Sequence, residues 1–110
     1  MFTVATNEGY RPVLPGVGLK TLTHGSRTLF AEFRLAKGHT LPRHSHPQEQ
    51  TGYLVSGKLR LTIGQQTYDA CPGDCWCIEG GVPHEAFVIE DAVAIEVFSP
   101  VREDYLPTIR

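Results

Sequence analysis

Turn-forming residues punctuate this chain so closely that little beyond short strands fits between them. The breaks fall at Pro15-Gly16, His24-Gly25-Ser26, Lys37-Gly38, Ser56-Gly57, Gly64-Gln65, Pro72-Gly73-Asp74 and Gly80-Gly81. No stretch of about 12 residues carries apolar positions at the helical period behind a capping residue. Between the breaks the pattern alternates. In Arg27–Ala36, Leu29, Ala31, Phe33 and Leu35 fall on one face, and Phe30, Glu32 and Arg34 on the other. Many short strands joined at glycine turns point to an all-β sandwich or barrel.

Read in order, residues 1–16 form an N-terminal arm and 100–110 a C-terminal one, with strands between. Strands are expected at 20–23, 27–36, 66–70 and 75–78. A stiff extended segment runs over 41–46, flanked by Pro42 and Pro47. Two hairpins are expected: 50–55 with 58–63 around Ser56-Gly57, and 84–89 with 92–98 around Glu90-Asp91. No linker, repeat or low-complexity tract interrupts 1–110, so one domain is expected. At 110 residues and 41 % hydrophobic content, the chain can bury a core without disulfides or structural metals.

The net charge of −2 comes with no basic run, so no nucleic-acid partner is expected. No apolar stretch is long enough to span a membrane, and Met1-Phe2-Thr3-Val4 has no basic leader region, so a cytoplasmic protein is expected. Cys71, Cys75 and Cys77 are odd in number and lack separated C-x-x-C pairs. They read as packing groups or surface thiols rather than a disulfide or zinc framework. Sheets with free edges and arms often close on a second copy, so a homodimer is the expected assembly.

His44-Ser45-His46 is the strongest chemical feature. In extended chain, residues i and i+2 point the same way, with Cα atoms about 6–7 Å apart. Two imidazoles at that spacing can share one ion. Glu96 and Phe98 form a second pair on one strand face, with Arg102 just beyond. A carboxylate at a barrel mouth suits general acid–base work, and a guanidinium suits bidentate capture of a substrate carboxylate. Solvent exposure of Glu96, or pairing of Arg102 with Glu103 or Asp104, would be the plainer outcome. Trp76 reads as wall or core.

The spacing G-x5-H-x-H-x3-Q-x6-G over 38–57 is followed by P-G-D-x6-G-V-P-H ending at His84. Together these motifs, spanning 38–57 and 64–88, resemble the two motifs of the cupin family. That resemblance implies a double-stranded β-helix of the jelly-roll type, closed into a barrel. It also implies a divalent transition metal (zinc, nickel, manganese or iron) held by His44, His46 and His84. The usual glutamate ligand falls at Gln50. Glu49 faces opposite to Gln50 once the strand has begun, so only one of them reaches the ion. Gln50 is favoured, and a bulge would reverse the choice. Glu79 and Val88 also depart from the usual proline and asparagine. A neutral amide would leave the ion its full charge, making it a stronger Lewis acid and favouring anionic ligands.

H-S-H-P-x-E-Q-x-G-Y together with F-S-P-x-R-E-D narrows the resemblance to small cupins of pectin and alginate breakdown. These convert 4,5-unsaturated uronates to the linear keto form. The resemblance implies catalytic roles for Glu96, where aspartate is common, and for Phe98 and Arg102. It makes a small anionic sugar the expected partner. Two other activities fit a lone metal cupin: a non-haem iron dioxygenase on a small substrate, and a sugar-binding protein without catalysis.

Overall fold

The computed structural model describes residues 1–107; residues 108–110 of the expected C-terminal arm lie outside them. Eight strands follow in order: β1 Arg11–Leu14, β2 Val17–His24, β3 Leu29–Leu35, β4 Thr40–His44, β5 Glu49–Ile63, β6 Gln66–Ala70, β7 Cys75–Ile78 and β8 His84–Ser99. Among the described residues of the C-terminal arm, Glu103–Tyr105 forms one 3-10 turn. β1 extends structure into the N-terminal arm, because Arg11 and Pro12 pair antiparallel with Leu19 and Gly18.

The two expected hairpins are each one long, bent strand. Glu49–Leu54 pairs with the far end of β8, and Leu59–Ile63 pairs with its near end, so β5 and β8 run antiparallel along their whole length. The register slips between Leu54 and Leu59, opposite Glu90–Val93. Both strands bend there together. Gly57 takes φ +85°, and a Cβ on it would strike the Asp91 carbonyl and lie 2.5 Å from Ala92 Cα. The glycine that suggested a reversal instead lets two strands cross closely at a bulge.

The bends give β5 and β8 a place in two layers. One half of each pairs with β3 and β7, the other half with β4 and β6. The alternation read in β3 is realised: Leu29, Ala31, Phe33 and Leu35 are buried. They pack with Val17, Leu19 and Leu54 from one layer and with Leu59, Ala70 and Val88 from the other. The expectation of a closed barrel requires correction. The strands run in the order β1-β2-β3-β8-β5-β6, with β4 added on β8 and β7 on β5, and β1 and β6 do not pair. The sheet folds on itself as a jelly roll but stays open, because the bulges turn β5 and β8 between layers without joining the outer strands.

Candidate metal centre and its cavity

The two motifs meet because β4 and β8 are neighbours. His44 ends β4 directly across from His84, the first residue of β8. His46 lies two residues beyond the end of β4, just before the bend at Pro47-Gln48, and the Gly81 amide donates to its carbonyl at 2.8 Å. The Pro83 break therefore sits against the H-x-H segment. Ring centroids lie 4.3 Å apart for His44 and His84, 5.0 Å for His46 and His84, and 5.7 Å for His44 and His46. One ring nitrogen from each lies within 4.8 Å of the others.

The tautomers follow from the hydrogen bonds. His44 Nδ1 faces the Pro42 carbonyl at 2.7 Å, His46 Nδ1 the Gln48 carbonyl at 3.0 Å, and His84 Nδ1 the Val82 carbonyl at 2.9 Å. A carbonyl only accepts, so each Nδ1 carries a proton, and Nε2 is the atom each ring has left to offer a metal. His84 Nε2 is buried with no hydrogen-bond partner. Burial pushes the His84 pKa down, and burial followed by the Arg102 charge does the same for His46. Both shifts favour the neutral ring, the form in which an imidazole binds a metal.

Gln50 faces two ways. Its amide Nε2 donates to Glu96 Oε1 at 2.5 Å, which turns Oε1 toward His46 Nε2 at 3.0 Å. Two lone-pair atoms face each other there, an arrangement that a cation between them relieves. Ligands each about 2.1 Å from one ion stand about 3 Å apart at a right angle. The orphaned His84 nitrogen and this lone-pair contact both fit a divalent ion. Glu49 points to the other face, where its Oε1 takes a bond from the Cys77 thiol at 3.3 Å. Cys71, Cys75 and Cys77 are all exposed free thiols.

A cavity of about 670 Å³ opens beside the imidazoles, and Glu96, Phe98 and Arg102 all line it. Glu96 is buried, and burial raises its pKa against the opposing effect of hydrogen bonds from Gln50 and Trp76. Phe98 is 1 % exposed, with its ring edge-on to His46 at 5.8 Å. Arg102 pairs with Asp104 through Nη2–Oδ2 at 2.7 Å and Nε–Oδ1 at 3.2 Å. Its guanidinium lies 4.0 Å from the Tyr105 ring and 5.3 Å from Phe98. Its side chain is only 14 % exposed, so the pairing with Asp104 coexists with a place in the cavity wall. Trp76, which reads as wall or core in the sequence, is also a polar participant: its indole N–H donates to Glu96 Oε1 at 2.7 Å. The signal for it was Gly52, a glycine with no turn role in mid-strand.

The pattern of the Cupin domain family matches residues 31–99. An uncharacterized protein of Streptomyces coelicolor is 32 % identical over 69 residues, which is 62 % of this chain and 66 % of the relative, just under two thirds of its length. Among solved structures, KdgF from Halomonas sp. superposes with a TM-score of 0.90 at 26 % identity, covering 96 % of this chain and all of that one. An RmlC-like cupin from Shewanella frigidimarina superposes equally well, with a TM-score of 0.90 at 22 % identity over 96 % of this chain and 95 % of its own. A family match over most of the chain, on the strands that carry the histidine cluster, makes this protein a member of the cupin domain family.

Proposed function

We propose that this protein is a metal-dependent enzyme that converts a 4,5-unsaturated uronate monosaccharide to its linear keto form. The observation that carries this reading is the content of one cavity: imidazoles and an amide oxygen suited to an ion, a buried carboxylate and a guanidinium. Similarity to KdgF over 96 % of the chain supports placing it with the uronate-converting cupins that its motifs resemble.

His44, His46, His84 and Gln50 would hold the ion, which when bound supplies a Lewis acid to a sugar oxygen. The rest falls to the chain's own side chains. Arg102 binds the substrate carboxylate with the donors that Asp104 leaves free. Glu96 moves the proton. The conversion is an isomerisation: the anomeric hydroxyl loses a proton, the bond between C1 and the ring oxygen breaks, and C4 gains a proton as C5 becomes a ketone. A buried carboxylate with a raised pKa can both take and return that proton. Phe98 supports His46 on one side and the Arg102 guanidinium on the other.

The test follows the ultraviolet absorbance of the conjugated double bond with purified, metal-loaded protein. The expected result is loss of absorbance, with a linear keto product, at a rate that chelation reduces to that of buffer. No acceleration over buffer would overturn the reading, and oxygen uptake on a small substrate would replace it with the dioxygenase. Zinc, nickel, manganese and iron remain the proposed ions, to be separated by elemental analysis. The exposed thiols suit the proposed cytoplasmic setting. Exposed Tyr53 and Val55 on the outer face of β5 support the proposed homodimer, which sedimentation tests.

A further inference from the structure

Gly52 lies in the middle of β5, where a glycine weakens a strand unless something needs the room. Its φ is not in the left-handed region, so backbone freedom does not explain it. Space does. Gly52 pairs with Trp76 of β7 on one side and with Glu96 of β8 on the other. A Cβ here would collide with the indole Nε1 and Cε2 of Trp76 and would lie 2.6 Å from Glu96 Oε1. The missing side chain is the passage through which the indole crosses β5 to a carboxylate two strands away.

Both donors that reach Glu96 use the same oxygen. Trp76 Nε1–H donates to Oε1 at 2.7 Å, and Gln50 Nε2–H donates to Oε1 at 2.5 Å. One carboxylate oxygen offers two lone pairs, so Oε1 is filled. Oε2 has no partner among the described residues, and Glu96 lines the cavity. The terminal torsion of a glutamate is broad and roughly two-fold, so an unbound carboxylate would exchange its oxygens. Two donors on one oxygen stop that exchange.

We propose that Trp76 is a positioning residue: by fixing Glu96 Oε1 through the gap at Gly52, it reserves Oε2 as the atom that carries the proton. This rests on the role given to Glu96 above. The indole itself has one donor and no acceptor, so it moves no proton. Its contribution is alignment, and misalignment of a proton carrier costs about 10- to 100-fold in rate.

Two measurements on the zinc-loaded full chain test this. The chain has one tryptophan, so its indole N–H gives one nuclear magnetic resonance signal. That signal is expected downfield and protected from exchange, and Glu96→Gln is expected to move it upfield and weaken its protection. A signal that Glu96→Gln leaves in place would overturn the contact, whether or not the protein turns over a uronate. The second measurement is kinetic. Trp76→Phe keeps a ring but removes the N–H. It is expected to keep its metal content and KM while kcat falls about 10- to 100-fold. In the Glu96→Gln background the same change is expected to cost less than about twofold. Gly52→Ala, which keeps the indole but closes its passage, should reproduce the loss in kcat and serves if Trp76→Phe does not fold. A raised KM with kcat intact would make Trp76 a substrate wall, lost metal would place its effect on Gln50, and equal losses in both backgrounds would detach it from Glu96. Each of these overturns the proposal. Absence of turnover in the parent protein would overturn the uronate reading instead, and the resonance measurement would still decide the contact.

Discussion

Gln50 serves two neighbours with the two ends of one amide, and a glutamate could not do the same. Its Nε2 donates to Glu96 Oε1 at 2.5 Å, and its Oε1 faces His46 Nε2 at 3.0 Å. Gln50→Glu removes the only donor on that side chain and sets two carboxylates together in a buried site. The metal-free variant should lose about 1–3 kcal/mol of stability. With zinc present the added negative charge should recover much of that. Melting with chelator and with zinc reads both, and a metal-free variant as stable as the parent would show that the Gln50–Glu96 bond contributes nothing. Arg102 gives a second prediction at this scale. Lysine keeps the charge but loses the planar fork and its stacking on Tyr105. Arg102→Lys should raise KM for the uronate about 10- to 100-fold, with kcat less affected, as expected for one charge-assisted hydrogen bond lost. An unchanged KM in steady-state assays would remove Arg102 from substrate binding. Much of the geometry around these residues is readable from strand alternation. It separates Gln50 from Glu49 and pairs His44 with His46. Trp76 and Gly52 are not readable that way, because their meaning depends on register across three strands, β7, β5 and β8.

Strand alternation in β3 and the turns at Gly64 and Gly73 follow from local chemistry, but the two hairpins did not materialise. Ser56-Gly57 carries the same signal in a reversal and in a bulge. Only the partner strand decides between them, and β8 begins more than twenty residues later. Once β8 pairs along both halves of β5, the glycine becomes a crossing point. Gly57→Ala tests this. The new Cβ would carry a φ of +85° and press on Asp91 and Ala92. The expected loss is at least about 1–3 kcal/mol, read as a lower urea midpoint at unchanged slope. A variant with the parent's midpoint would mean that the bend has room to relax and is not set by the glycine.

The open sheet gives the metal centre a structural consequence for the whole molecule. The motif resemblance suggested a closed barrel, yet hydrogen bonding leaves β1 and β6 unjoined and attaches β4 only to β8. Closure depends on where distant edges end up, which local spacing does not encode. His44 belongs to β4, His84 to β8 and Gln50 to β5, so an ion held by them ties the short strand β4 to both long ones. That ion binds the folded chain and has no preformed site in the unfolded one. At a free concentration about 100 times its dissociation constant it should add about 2.7 kcal/mol, which for a domain of this size is roughly 10 °C in melting temperature. Chelation should remove that increment, and added zinc should restore it. His84→Ala should abolish the response, because it takes one of three imidazoles from the cluster. A melting temperature that ignores both chelator and zinc in the parent protein would mean that the cluster holds no ion under those conditions, and the metal-dependent reading of the cavity would fall with it.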